Sequence, residues 1–349
     1  MKHKLNQVCY QNRYSQLDAE SIMELASQST DVKLLPSSKN YDLFTSFDEA
    51  GDLVCNGEVI TLGKARYANI KYWCGDFISS NNNIIESKNT NFLRSKYLYY
   101  FLSYTSKDYY VEATTYPKFD QRSFDNHTID IPSIDTQDSR LNILDSLTDL
   151  INKETLQLEQ LDELTKSRFI EMFEGKYDQK SLINVCDELF AGGDIKKDKY
   201  SNTKSDEYPY PIYTNGEKDN GLYGYTSLVR VTREAVTISG RGTIGFTCLR
   251  KESFYPAVRL IVAVPNQGMI SGCYLKHFIQ SKDYGGQGAS IPQLTVPMIK
   301  NEMIPVPPLP LQKEFESFVS QIDKLKFNVQ QRIEKYKELL NKKMSEYFN

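Results

Sequence analysis

Residues 136–175 read TQDSRLNILDSLTDLINKETLQLEQLDELTKSRFIEMFEG and contain no proline. Apolar residues recur in this stretch at steps of three and four, the spacing of one face of an α-helix. They are Leu144, Leu147, Leu150, Ile151, Leu158, Leu161 and Leu164. The pattern predicts an amphipathic helix of roughly 35 residues, about 50 Å long at 1.5 Å per residue, with Gly175 as its stop. So long a helix with one apolar stripe requires another long helix as its partner.

Residues 311–348 form a second stretch of the same kind and read LQKEFESFVSQIDKLKFNVQQRIEKYKELLNKKMSEYF. Its stripe consists of Val319, Ile322, Leu325, Val329, Ile333, Tyr336, Leu339 and Leu340. Residues 138–174 carry four basic and nine acidic side chains, a net charge of -5, whereas residues 311–349 carry eight and six, a net charge of +2. The matched lengths and opposite charges predict that the two helices pack against each other.

The chain repeats itself at a spacing of 175 residues. SKDY stands at 106–109 and again at 281–284, and one register without gaps holds from Ser106 to Phe173. Corresponding identities are Pro117 and Pro292, Pro132 and Pro307, Gln137 and Gln312, Leu150 and Leu325, Glu159 and Glu334, Leu164 and Leu339, Glu171 and Glu346, and Phe173 and Phe348. A period of domain size predicts a tandem duplication of a domain with its helix.

The duplication predicts four consecutive segments. Residues 1–137 form a first globular domain, 138–176 the first long helix, 177–310 a second globular domain and 311–349 the second helix. Proline-marked connectors, DIPSIDTQ and MIPVPPLPLQ, precede the helices. β-rich runs such as RLIVAV, turns such as TNGEKDNG and short helical runs predict an α/β (α+β) fold for both globular domains.

Bulk properties narrow the class of protein. At 40% hydrophobic and 25% charged residues the composition is that of a globular protein, and the apolar runs are too short to cross a bilayer. With no signal-peptide core at the start, we expect a cytoplasmic protein. The six cysteines form no CxxC pair and the three histidines lack metal-ligand spacing, so neither a disulfide frame nor a metal site is expected.

The net charge of -3 hides a segregated distribution, because residues 218–300 carry ten basic and four acidic side chains, a net charge of +6. Phosphates respond to local basic surface. Gly240-Arg241-Gly242 in TISGRGTIGFT has two interpretations. It is either a glycine-bearing turn with a solvated arginine, or a loop whose arginine makes two hydrogen bonds to a guanine edge or a phosphate. The first copy has LGKARYANI at this position, with Lys64 and Arg66.

Catalytic signatures are missing from the sequence. NPPY, DPPY and a Walker frame do not occur, and GGQGAS at 285–290 lacks the lysine of a phosphate loop. The stretch YPIYTNGEKDNGLYGY at 210–225 combines tyrosines, asparagines and a lysine at turns, which suits either packing or contact with phosphates and base edges. These observations predict a binding protein and not an enzyme.

The chain resembles the specificity (S) subunit of type I restriction-modification enzymes over nearly its whole length. The resemblance is carried by YPIYTNGEKDNGLYGY, TISGRGTIG, the IPVPPLPLQKEF connector and the repeated long helix. The resemblance implies two target-recognition domains and two antiparallel coiled-coil helices in pseudo-two-fold relation. It implies that each domain reads half of a split double-stranded DNA target, and that the helices set the unread gap and dock two modification (methyltransferase) subunits. It further implies that restriction subunits join the complex through the modification subunits. S-adenosylmethionine, ATP and Mg²⁺ would then serve those partners, and no cofactor is expected for this chain.

The first globular domain departs from the family pattern, since LGKARYA stands where SGRGTIG is expected and YPIYTNG has no clear counterpart. We expect a divergent reader there. Basic, amide or hydroxyl side chains on predicted loops are the candidate DNA contacts: Lys64, Arg66, Lys118, Tyr213, Asn215, Lys218, Arg241, Thr243 and Gln287. Two alternative hypotheses remain, a coiled-coil scaffold that binds protein and a single-chain restriction component with nuclease or methyltransferase activity.

Overall fold

The computed structural model describes residues 2–38, 42–65, 69–112, 116–173, 175, 177–195, 199–282, 284 and 293–349. By their internal contacts the residues group into two units. Unit 1 comprises Met1–Thr155 and Gln331–Asn349, and unit 2 comprises Leu156–Gln330. Each unit thus combines one predicted globular domain with parts of both predicted helices. The four consecutive segment boundaries stay a prediction.

Unit 1 is built on one six-stranded sheet of order β2-β7-β5-β6-β3-β4, with the helix α4 packed against β5, β6 and β7. Two short antiparallel pairs, β1 with β10 and β8 with β9, complete the strands. The elements are β1 Lys2–Lys4, α1 Leu5–Val8, β2 Cys9–Gln11, α2 Ser21–Glu24, β3 Val32–Leu35, β4 Leu43–Thr45, α3 Phe47–Ala50, β5 Cys55–Gly63, β6 Ile70–Ser79, β7 Asn82–Ser87, α4 Ser95–Tyr104, β8 Tyr110–Val111, β9 Lys118–Phe119, α5 Gln121–Asn126, β10 Thr128–Asp130 and the long helix α6 Ile134–Phe173.

Unit 2 has two four-stranded sheets, of order β12-β19-β16-β17 and β13-β15-β14-β18, and a β11-β20 pair. The helix α8 packs against β16, β17 and β19. The elements are β11 Gln179–Ser181, α7 Leu182–Val185, β12 Cys186–Ala191, β13 Tyr200–Ser201, β14 Tyr210–Tyr213, β15 Leu222–Thr226, β16 Ala235–Ile238, β17 Thr247–Arg250, β18 Tyr255–Pro256, β19 Ile261–Pro265, α8 Gly272–Gln280, α9 Val296–Ile299, β20 Met303–Pro305 and the long helix α10 Leu309–Phe348.

The two long helices, of 40 residues each, are antiparallel in both units. In unit 1, Arg140 near the start of α6 donates to the carbonyl of Tyr347 near the end of α10, and Glu154 accepts two hydrogen bonds of 2.7 Å from Arg332. In unit 2, the rings of Phe169 and Phe315 lie 5.4 Å apart. Residue numbers rise along one helix as they fall along the other, so the predicted antiparallel pairing is confirmed.

The predicted apolar stripes are only partly covered. Leu144 is fully buried and Val329 is 2% exposed, whereas Leu150, Leu164, Leu325 and Leu339 are 38%, 48%, 50% and 40% exposed. Two packed helices cover only one side of each other, and the stripes are wider than that side. Each unit therefore carries exposed leucines on both of its helix segments, Leu150 and Leu339 in unit 1 and Leu164 and Leu325 in unit 2.

A buried glutamine fixes the start of each long helix by the same three hydrogen bonds. In unit 1, Gln137 accepts from the N–H of Arg94 and donates to the carbonyls of Phe92 and Pro132, all at 2.9 Å. In unit 2, Gln312 accepts from Ser271 at 2.7 Å and donates to the carbonyls of Met269 and Pro307 at 2.9 and 2.8 Å.

Both glutamine side chains are completely shielded from solvent. Gln137 and Gln312 are also related by the sequence spacing of 175. The repeat is therefore conserved down to individual hydrogen bonds at the point where each globular part joins its helix.

The end of each long helix completes the core of the unit in which it lies. Phe173, at the end of α6, is 1% exposed in unit 2, and its ring meets Tyr274 edge-on at 4.7 Å. In unit 1, Phe348 at the end of α10 meets Tyr97 edge-on at 5.1 Å. Phe173 and Phe348 are equivalent at the spacing of 175, and each contacts a tyrosine on the short helix of its unit, α8 or α4, that is distant in sequence.

Candidate nucleic-acid interface

Two loops of unit 2 are held together by an asparagine. Loop A (residues 214–221) follows β14 and loop B (residues 239–246) follows β16. The Oδ1 atom of Asn215 accepts a hydrogen bond of 2.8 Å from the N–H of Gly240, and its Nδ2 atom donates to the carbonyl of Val258 at 2.6 Å. Asn215 therefore positions three segments with both ends of its amide. Its contact with DNA stays a prediction.

Tyr213, another predicted contact, lies largely inside unit 2. It is 9% exposed, and its hydroxyl donates to Glu252 at 2.6 Å. The guanidinium of Arg250 stacks 3.6 Å above its ring and donates to the carbonyl of Asn220 in loop A. Burial, with a contribution from the Glu252 bond, raises the pKa of Tyr213 to about 12. Tyr213 thus supports loop A from beneath with its hydroxyl protonated, and direct contact with DNA stays a prediction.

The other described candidates of unit 2 are exposed on loops A and B. Lys218 and Thr243 have exposed side chains, and exposed Arg241 donates a hydrogen bond of 3.0 Å to the neutral amide of Gln293. Loop A is shaped by Asp219 and Asn220, whose φ values of 50° and 52° are left-handed. Within the described residues the partner of Arg241 is this neutral amide, so the guanidinium keeps its charge available to a phosphate or a base edge.

Glycine is required at the base of loop B. The N–H of Leu294 donates to the carbonyl of Gly240 at 2.8 Å, and a Cβ atom on Gly240 would lie 2.6 Å from the carbonyl oxygen of Leu294. A contact that short is not tolerated between a side chain and a backbone atom. Gly240 therefore lets the segment 293–296 approach loop B closely enough for Gln293 to reach Arg241.

Unit 1 brings together two of its predicted contacts. The N–H of Phe119 donates to the carbonyl of Lys64 at 3.0 Å, and Ala65 forms a β-bridge with Lys118. The side chains of Lys64 and Lys118 are exposed. Phe119 and Leu294 are equivalent at the spacing of 175, so the bond from Phe119 to Lys64 repeats the bond from Leu294 to Gly240.

Two candidates, Arg66 and Gln287, lie outside the described residues. Gln293 was not among the predicted contacts, although it is the hydrogen-bond partner of Arg241. Applying the spacing of 175 to Lys118 leads directly to Gln293, so the repeat register contained a signal for it.

The described residues contain no group of three or more His, Cys, Asp or Glu side chains that could hold a metal ion. Within the same part of the chain, no helix has the length and apolar character needed to cross a membrane.

The family model for the type I restriction modification DNA specificity domain matches residues 18–161 and 177–336 of this chain. The chain belongs to this family, and its role is DNA recognition in a type I restriction-modification system. The hypothesis of a protein-binding scaffold loses its support. The matched segments correspond to the two halves of the repeat.

Two curated type I specificity subunits of Mycoplasma pneumoniae are among its relatives. S.MpnORF507P is 25% identical over 303 residues, which cover 84% of this chain and 82% of that protein. S.MpnORF89P is 28% identical over 313 residues, which cover 84% and 93%. The S subunit of the type I restriction-modification system from M. genitalium shares the fold with a TM-score of 0.60 at 12% identity, covering 100% of this chain and 96% of that one. A chain from a structure on complex assembly and conformational transition of the type I R-M system gives a TM-score of 0.55 at 15% identity, covering 99% and 97%.

Proposed function

We propose that unit 1 and unit 2 each read one half of a bipartite double-stranded DNA sequence. The repeated hydrogen bond to the carbonyls of Lys64 and Gly240 carries this proposal, because it gives both units the same loop framework. On that framework unit 1 exposes Lys64 and Lys118, and unit 2 exposes Lys218 and Arg241. Lysines suit phosphate contacts, which supply affinity, and arginine suits a guanine edge, which supplies specificity.

The helices α6 and α10 are proposed to set the unread gap and to dock two modification (methyltransferase) subunits. The buried Gln137 and Gln312 support the first role, because they fix each helix start rigidly to its globular part. The exposed leucines of each unit support the second role, since an apolar helix surface suits a helical partner. Restriction subunits would join the complex through the modification subunits.

The chain itself is proposed to be non-catalytic and cytoplasmic, with S-adenosylmethionine, ATP and Mg²⁺ bound by the partner subunits. The sequence supports this proposal because it contains no NPPY or DPPY methyltransferase motif and no Walker frame. GRGTIG at 240–245 matches GxGxxG, but it joins β16 to β17 and is not followed by a helix, as a nucleotide-binding turn would be. The test is to purify the chain with its methyltransferase partner and to sequence the methylated sites in DNA. We expect one bipartite sequence, whereas methylation or cleavage by the chain alone would contradict the proposal.

Lengthening both helices by the same number of residues is expected to change the unread gap and to leave the two half-sites unchanged. The reason is that a rigid connection between two readers fixes the half-site separation. Sequencing methylated sites after paired insertions into α6 and α10 measures the gap. An unchanged gap in a folded, active complex would show that the helices do not set it.

In the complete complex, Arg241→Ala and Lys218→Ala are expected to act differently on DNA binding. Loss of a base-edge contact at Arg241 should weaken binding of the native target by about 1–3 kcal/mol and relax selection at one base pair. Loss of a phosphate contact at Lys218 should weaken binding to all DNA sequences alike. It should also reduce the magnitude of the slope of log K against log salt concentration by about 0.9. Titrations of native and single-mismatch DNA at several salt concentrations distinguish the two effects.

Lys180→Ala is the matched control for these titrations, because Lys180 is exposed on β11, outside loops A and B. Equal losses in all three variants would show that only the overall charge of the chain matters. Unaltered discrimination at every base pair in Arg241→Ala would remove Arg241 from the set of base contacts.

A further inference from the structure

A bend beside loops A and B carries an arginine, Arg259, that was not among the predicted DNA contacts. The bend joins β18 to β19 and contains Val258 and Arg259, whose φ values of 52° and 60° are both left-handed. Consecutive residues of this kind are uncommon outside glycine, and a β-branched valine is especially unfavourable there. The bend was not predicted, because Arg259 is the first residue of the β-rich run RLIVAV.

Three hydrogen bonds, two to the segment of Gly192 and Gly193 and one from loop A, hold this bend in place. The N–H groups of Val258 and Arg259 donate to the carbonyls of Gly193 and Gly192 at 2.9 and 3.0 Å. The carbonyl of Val258 accepts from Asn215 of loop A at 2.6 Å. A Cβ atom on Gly192 would lie 2.5 Å from the carbonyl oxygen of Pro256, so glycine is needed for this close approach. Strain that is held so firmly is typical of functional loops.

The side chain of Arg259 is exposed. Among the arginines in the described part of unit 2, Arg259 is the one whose side chain makes no hydrogen bond or ion pair. The side chains of the others, Arg168, Arg230, Arg233, Arg241 and Arg250, each make at least one. Arg259 and Gln293 line the same cavity of about 430 Å³. Because Gln293 also binds Arg241, the two arginines flank one amide.

Unit 1 has one left-handed residue at the position equivalent to Arg259, and it is not an arginine. Thr61 pairs with Ile84 in unit 1 as Thr237 pairs with Val262 in unit 2, which makes Asn81 the counterpart of Arg259. Asn81 has φ 51°, and asparagine tolerates this conformation better than arginine does. Both units therefore have a left-handed residue at this position, but this conformation does not require an arginine. Arginine at 259 has to be explained by something outside the fold.

We propose that Arg259 is a base-reading residue of unit 2 that recognises a guanine edge next to the bases read from loop B. The proposal rests on the proposed function of unit 2 as the reader of one half-site. Its fixed backbone, exposed guanidinium and free donors match the bidentate pairing of arginine with O6 and N7 of guanine in the major groove. Gln293, which lines the same cavity as Arg259, and its partner Arg241 are further donors and acceptors for neighbouring bases.

The test compares Arg259→Asn, Arg259→Lys and the unaltered chain in the complete complex with the modification subunits. Arg259→Asn copies the residue of unit 1, so we expect it to fold with an equal or higher Tm. Methylation of the native target should fall roughly 10- to 100-fold, with selection relaxed at one base pair of one half-site. Arg259→Lys keeps the charge but lacks the planar pair of donors that fits O6 and N7, so it should lose selection at the same base pair.

The readout is methylation of a library in which every base pair of the target is varied in turn. Unchanged selection in Arg259→Asn would overturn the proposal. Full activity in Arg259→Lys, or an equal loss on all sequences, would also overturn it, because either result indicates a phosphate contact. If the unaltered complex shows no sequence selection at all, the proposed function fails instead, so the two failures are distinguishable.

Discussion

Replacing Phe173 by alanine is expected to lower the free energy of unfolding by about 3–5 kcal/mol. The ring of Phe173 is 1% exposed and lies 4.7 Å from Tyr274 and 5.4 Å from Phe315. Its removal leaves a cavity at the point where the end of α6 closes the core of unit 2, and rigid surroundings fill such a cavity only in part. Urea unfolding followed by the loss of helical circular dichroism measures the change.

Phe327→Ala is the matched control for this loss of a phenylalanine ring. Phe327 also lies on a long helix, but its side chain is 62% exposed. Its replacement is expected to change the free energy of unfolding by no more than about 0.5 kcal/mol. Similar losses in both variants would mean that Phe173 does not close a core and that its effect is one of helix propensity.

Replacing Gln312 by leucine is expected to destabilise unit 2 by roughly 3–5 kcal/mol, because buried polar groups left without partners cost about 1–3 kcal/mol each. The change deprives the N–H of Ser271 of its acceptor and the carbonyls of Met269 and Pro307 of their donor. Gln312→Glu keeps an acceptor for the N–H of Ser271 but loses both donors to the carbonyls of Met269 and Pro307. At neutral pH we expect Gln312→Glu to be less destabilising than Gln312→Leu only if water reaches the site.

The control for Gln312→Leu is Gln321→Leu, since Gln321 is exposed on the same helix. Thermal unfolding should show a clear fall in Tm for the first variant and almost none for the second. A Tm within the error of the unaltered chain for Gln312→Leu would contradict the view that this amide anchors α10. Methylation by the assembled complex should then also be unaffected.

The sequence predicted features that depend on local periodicity and on the repeat. Both long helices, their antiparallel pairing and the α/β class of the globular parts are confirmed. The equivalence of Gln137 with Gln312 and of Phe173 with Phe348 was visible as identical residues at one spacing, although their contacts were not. A spacing shows which residues occupy the same environment but does not show what that environment is.

Other features could not be predicted, because they depend on contacts between distant segments. The sequence did not distinguish the single six-stranded sheet of unit 1 from the two four-stranded sheets of unit 2, since strand order is set by long-range pairing. The burial of Tyr213 follows from its stacking with Arg250, 37 positions away in sequence. The left-handed backbone at Val258 and Arg259 runs against the local preference of both residues and exists only because surrounding bonds enforce it.

The position of Phe348 has a consequence for how the protein is made. Unit 1 includes Gln331–Asn349, and its core residue Tyr97 packs against Phe348, so this core stays incomplete until the final helix emerges from the ribosome. At 5–20 residues per second, translating the 175 residues of unit 2 between the two parts of unit 1 takes roughly 10–35 s. During that interval the nascent chain exposes the aromatic surface around Tyr97, which makes it a natural substrate for chaperones.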